Sequence, residues 1–167
     1  MAIDSTFEIF LILSALLCAM NTGFLFAFGT VVMPGIAKLS DKDFIQAFQR
    51  IDGIIQNGQP LFALLWAGSA IALIIATALG YFNLSLQNFV VLMISCFAYM
   101  LGVQVSTFVN NIPLNNRLQK LSLNELSDVE IRQAREEFEG SWNRWNNRRT
   151  LVGTAVSLAL LIIVQST

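Results

Sequence analysis

The chain has 167 residues, a one-domain length, with 55% hydrophobic and 13% charged residues and a formal net charge of −1. A soluble domain carries about 25% charged residues, so the composition favours lipid as the solvent, and no basic field points to nucleic acid as a partner. Histidine is absent, which excludes a His-ligated haem, His-containing metal triads and a Glu-x-x-His di-iron bundle, and removes the usual general base.

A membrane-spanning helix needs about 20 mostly apolar residues. The first such run covers about 7–32. Its flank holds Asp4 and Glu8 but no Lys or Arg, the reverse of a cleavable signal. Asn21 and Thr22 midway along it are expected to hydrogen-bond between helices, and Gly23 and Gly29 to permit close packing. Pro34 closes the run. Ser40, with Asp43 three residues on, resembles a capping box. Behind it Phe44, Phe48, Ile51 and Ile55 recur at helical spacing, with Gln46, Gln49, Arg50 and Asp52 elsewhere. This predicts an amphipathic helix over about 41–56, ended by Asn57-Gly58.

Pro60 opens a second span, about 61–82, with Gly68 and Ser69 as close-packing residues. The third span is about 87–109, with Gln104 and Ser106 deep inside it. Pro113, within the run from Asn110 to Asn115, predicts a break in that helix, with Asn side chains satisfying the freed backbone groups. A second capping box, Ser127 with Glu130, opens a helix over about 128–149 that continues into a fourth span, about 150–164. The runs are too long, and lack the alternation, for barrel strands. Cys18 and Cys96 lie in apolar stretches with no CxxC pair and read as buried hydrophobes. The expected fold is all-α, a four-transmembrane-helix bundle with amphipathic cytoplasmic helical extensions, in a single membrane domain over 1–167. All ten Lys and Arg fall in the two long connections. Both connections are therefore expected in the cytoplasm and both termini on the opposite side.

Polar groups gather at one end of this arrangement. Trp142, Trp145, Asn146 and Arg149 share a helix face. Asn110, Asn111 and Asn115 should lie across from them, and Asn57 and Gln59 join at the same level. Convergent polar groups over an apolar cavity are the usual form of a ligand site. Trp and Arg at a membrane boundary also serve as anchors, and Asn near a helix break as a cap. Arg149, at the edge of the apolar core, requires a partner. No acid is expected at its depth, which leaves Asn carbonyls, a helix C-terminus or a ligand oxygen.

The Asn111-Ile112-Pro113-Leu114-Asn115 element and the later Trp142-x-x-Trp145-Asn146-x-x-Arg149 run resemble the anthrone oxygenase-like membrane family. That family has four spanning helices, an Asn-x-Pro-x-Asn element after the third and a Trp-x-x-x-Asn-x-x-Arg element entering the fourth. The resemblance extends over essentially the whole chain. It implies oxidation of an anthrone or related quinone-type aromatic by O₂ with no metal or flavin cofactor. Arg149, Asn146 and Asn115 would then stabilise an enolate oxygen, Trp142 and Trp145 would stack on the flat rings, and Asn111 and Asn57 would complete the binding site. The base is unassigned. The competing reading is a non-enzymatic bundle: a lipid binder, a scaffold, a homo-oligomer or a small subunit of a membrane complex. A transporter ranks last, because the spans lack internal charges and an inverted repeat.

Overall fold

Five helices make up most of residues 4–167, the part described by the computed structural model, and no strand occurs among them. The first three residues of the expected 1–167 domain lie outside the described residues. In chain order the helices are α1 (Ser5–Ile36), α2 (Asp41–Gln56), α3 (Pro60–Asn83), α4 (Leu86–Gln119) and α5 (Asp128–Ser166). All but α2 are long and apolar enough to cross a membrane. The fold is thus an all-α bundle of four such helices, with α2 and the first half of α5 as amphipathic extensions.

The caps are local chemistry. Asp4 accepts the Thr6 N–H at 2.8 Å, and Ser40 Oγ accepts the Asp43 N–H at 3.2 Å. Ser127 and Glu130 form a complete capping box. From that cap α5 runs 39 residues, about 58 Å at 1.5 Å per residue. That is nearly twice the ~30 Å of a hydrocarbon core, so half the helix is free to carry the amphipathic stripe.

The expected break at Pro113 does not occur. The helix runs through it from Leu86 to Gln119, but widens into π-helical turns at Met100–Val105 and Thr107–Asn111. A wide turn at Phe28–Val32 likewise precedes Pro34, which sits inside the last turn of α1 and does not close it. Proline lacks an N–H, and its ring clashes with the carbonyl four residues back. The wide turns at Thr107–Asn111 and Phe28–Val32 contain those carbonyls, of Val109 and Thr30, and move them off the α-helical position, so the helix axis continues. Asn110 Nδ2 donates to the Ser106 carbonyl at 3.2 Å, which takes up part of the altered ladder. Each π turn also adds a residue and rotates all that follows.

α1 packs against α3 and α5, and α4 against α5. Phe7, Leu11, Cys18, Leu73, Leu92, Val103 and Leu160 fill the bundle interior. Tyr99 of α4 joins three helices there: its hydroxyl accepts from Asn21 Nδ2 of α1 at 2.8 Å and donates to Ser69 Oγ of α3 at 2.9 Å. Gln104 Nε2 reaches the Trp66 carbonyl at 2.9 Å. Asn21 and Gln104 thus make interhelical bonds, whereas Thr22 Oγ1 and Ser106 Oγ have no partner among the described residues. Close approaches lie at Gly102, where an added Cβ would stand 2.8 Å from Val152, at Gly80, where it would stand 2.8 Å from Leu92, at Gly153, where it would strike Thr22, and, as expected, at Gly29, where it would stand 3.0 Å from the Asn146 amide. Gly23 faces open space and does not pack closely as expected.

At the end that carries the long connections, α2 lies across α4 and α5. Phe44, Ile45 and Phe48 bury against Leu118, Ile131, Phe138 and Trp142. Each such side chain, fully buried, contributes about 1.5–3 kcal/mol. Arg135 of α5 closes the α1–α2 turn, donating to the carbonyls of Ala37 and Leu39 at 2.8 and 3.1 Å and to Asp41 at 3.0 Å. Gln49 Nε2 donates to the Leu118 and Leu121 carbonyls, and Gln119 Nε2 returns a bond to the Gln49 carbonyl. α2 is therefore held by an aromatic face and a seam of amides.

Candidate functional site

The two packing regions do not meet fully. Between them lies a cavity of about 310 Å³, at the lower end of the range for small-molecule sites. Phe24 and Phe28 from α1, Phe48 from α2, Phe62 and Trp66 from α3 and Trp142 from α5 form its walls. The rings touch edge to face or tilted: Phe24 to Phe62 at 5.3 Å between centroids, Phe28 to Trp142 at 5.9 Å, and Phe48 to Trp142 at 5.8 Å. An aromatic lining of this kind presents ring faces and edges to a flat guest. An outward-facing apolar groove backs onto the same wall, sharing Phe24, Phe28, Ile55 and Phe62.

The polar groups come from three helices. Arg149 is 4% exposed, with Nη1 donating to Thr107 Oγ1 at 2.8 Å and Nη2 to Asn146 Oδ1 at 3.1 Å. Its Nε has no partner, and no acid is paired with it among the described residues. Asn146 is held by donating Nδ2 to the Leu25 carbonyl at 2.9 Å. Asn111 is 2% exposed, and neither its Oδ1 nor its Nδ2 has a partner. Buried amides without partners are rare, because each orphan group costs about 1–3 kcal/mol. Two side chains with orphan groups, Asn111 through its whole amide and Arg149 through Nε, line one cavity.

Asn115 occupies the middle of a relay. Its Oδ1 accepts from Trp142 Nε1 at 2.9 Å, and its Nδ2 donates to Asp52 Oδ1 at 2.7 Å. Asp52 itself lines the cavity and is 2% exposed. The sequence placed it away from the apolar face of α2, and its burial against the cavity corrects that placement. Asp52 follows Phe48 by one turn, and the fold-back of α2 over the bundle end brings that edge of the helix inward.

Of the residues singled out from the sequence, Arg149, Asn146, Asn115, Asn111 and Trp142 line the cavity. Trp145 and Asn57 do not. Trp145 lies to one side of the buried stripe, its ring 4.7 Å from the Arg148 guanidinium. Asn57 is exposed at the C-terminus of α2, and Gln59 caps α3 by accepting from the Leu61 and Phe62 N–H groups. Asn110 bonds its own helix backbone. Besides Asp52, sequence reasoning missed Thr107 and the aromatic walls. The walls read there as ordinary apolar positions in the spans and α2.

A family model described as anthrone oxygenase matches residues 55–159. The chain belongs to the anthrone oxygenase family. No curated protein and no solved structure matches it. The stretch matched to the anthrone oxygenase model holds α3, α4 and most of α5, and with them Asn111, Asn115, Trp142, Asn146 and Arg149. Asp52, Phe48 and the α1 wall of the cavity lie ahead of it. No cluster of three or more His, Cys, Asp or Glu able to hold a metal ion occurs among the described residues.

Proposed function

We propose that the chain is an integral membrane oxygenase that binds a small, flat aromatic ketone of the anthrone type and oxidises it with O₂. The observation that carries this reading is the pairing, in one aromatic-walled cavity, of a buried Arg149 that has no acid partner with an unbonded Asn111 amide. Both are donors awaiting an oxygen. A cation without a counter-ion stabilises charge that develops during reaction and wastes none on a resident carboxylate. The enolate of a bound ketone presents such an oxygen, with Asn146 orienting the Arg149 guanidinium towards it.

The modest volume and the aromatic walls favour a compact polycyclic guest over a two-chain lipid. The outward apolar groove shares four wall residues with the cavity, which suits a ligand arriving from the surrounding lipid. The ten basic residues in the long connections favour a cytoplasmic position for the cavity's end of the bundle, with both termini on the far side.

For anthrone the overall change converts a CH₂ into a carbonyl. One atom of O₂ enters the product, the other leaves as water, and anthraquinone results. The protein, purified in mild detergent and given anthrone under ¹⁸O₂, is expected to form anthraquinone bearing one ¹⁸O, faster than a heat-denatured control. Product formation equal to that of the denatured control would overturn the reading.

A further inference from the structure

One ionisable group in the cavity lining has no task in ligand binding. Asp52 lines the cavity at 2% exposure, and three side-chain amides donate to it. Asn115 Nδ2 meets Oδ1 at 2.7 Å, and Gln56 Nε2 and Gln119 Nε2 meet Oδ2 at 2.6 and 3.0 Å. Among the described residues no Lys or Arg is paired with it. A buried carboxylate held by neutral N–H groups is oriented without being neutralised. Oδ1 accepts one of the two hydrogen bonds it has room for. The Trp142–Asn115–Asp52 relay ties that oxygen to the aromatic wall, so the position of the carboxylate is coupled to the surface on which a flat ligand would rest.

From this arrangement we infer that Asp52 is the catalytic base, taking a proton from carbon on an aromatic ketone whose oxygen lies at Arg149 and Asn111. The inference rests on the aromatic-ketone reading of the cavity and deepens it. Enolisation needs a proton acceptor at carbon and a charge stabiliser at oxygen, and the cavity holds one of each. Asp52 and Arg149 are not paired with each other. That separation suits a ketone whose acidic CH₂ and carbonyl sit on opposite edges of a ring, as they do in anthrone.

The atoms balance. The C–H electron pair moves into the ring system, the carbonyl π pair moves onto oxygen, and the proton goes to the Asp52 carboxylate. The enolate gives its electrons to O₂, forming a carbon-bound peroxide that takes the proton back from Asp52. The carboxylate then removes the second proton from the same carbon as the O–O bond breaks. The new carbonyl forms, and hydroxide leaves and is protonated to water.

Asp52 also holds α2 on α4 through its amide partners, so the test separates the two roles. The probe is anthrone in D₂O under nitrogen, where no oxidation follows and deuterium incorporation at the CH₂, above the buffer rate, reads proton removal alone. Asp52→Asn is expected to lower protein-dependent exchange about 10²- to 10⁴-fold while anthrone binding by equilibrium dialysis stays within a few-fold. Asp52→Glu keeps a displaced carboxylate and falls between. Exchange at the wild-type rate in Asp52→Asn would overturn the assignment. So would exchange that falls only in step with the bound fraction in both variants, which assigns Asp52 to the helix seam alone. Wild-type protein that oxidises anthrone while Asp52→Asn matches it defeats the base and leaves the site standing. Wild-type protein that binds no anthrone defeats both.

Discussion

Arg149→Met lowers anthrone turnover by about 10²- to 10³-fold, and the thermal midpoint in detergent holds or rises. The two halves of this result have separate causes. The guanidinium is the strongest donor in the cavity, and its loss leaves the enolate oxygen to Asn111 and Asn146. Its removal costs the bonds to Thr107 and Asn146, with about 1–3 kcal/mol for an orphaned acceptor. Against that stands the desolvation of a cation without an acid partner, whose replacement by an apolar side chain of similar size is often neutral or stabilising by about 1–4 kcal/mol. An oxygen electrode and a melting curve check both halves. A merely anchoring Arg149 gives the opposite pattern, with stability lost and turnover kept.

Phe48→Ala releases α2. Phe48 is 1% exposed, with its ring 4.6 Å from Phe138 and 5.8 Å from Trp142, and truncating such a side chain costs about 3–5 kcal/mol. The loss falls on the seating of α2, which carries Asp52 and Gln56, so the cavity loses one wall and its carboxylate together. Trypsin cleavage at the exposed Arg50 reads the opening directly. It is expected to accelerate about 10²-fold or more, since each 1.4 kcal/mol is a factor of ten when opening is fast relative to cleavage. Ile54→Ala, at a position 62% exposed, serves as the control and changes little. Equal cleavage in Phe48→Ala and the control would contradict the docking of α2 described above.

The parts of the molecule legible in the sequence are those governed by local rules. Long uncharged apolar runs gave the four long helices. Ser40 and Ser127 marked the starts of α2 and α5, because a capping oxygen three residues from its backbone partner is a local geometry. Trp142, Asn146 and Arg149 share a face because α5 is a regular α-helix across them. What stayed hidden depends on irregular backbone or on tertiary packing. The π turns ahead of Pro34 and Pro113 have no composition signal, yet they carry the helix past proline and reset the faces beyond. Asn110 and Asn111 both lie in the second of the turns ahead of Pro113, and there Asn111 enters the cavity while Asn110 bonds its own backbone. Asp52 looked solvated because a charge beside an amphipathic stripe usually is, and its burial follows from α2 folding over the bundle end. Trp145, one position before Asn146, falls just outside the buried stripe, and stacking on Arg148 holds it there.

The central claim, that the cavity holds a flat aromatic carbonyl compound against Arg149, is tested most directly by what travels with the protein. Native mass spectrometry of wild-type chain released from mild detergent is predicted to show one aromatic or quinone-like molecule per chain, absent from Arg149→Met and Asn115→Ala. Phospholipid alone, bound equally to all three proteins, would contradict the claim and leave the bundle with a lipid-binding or scaffold role.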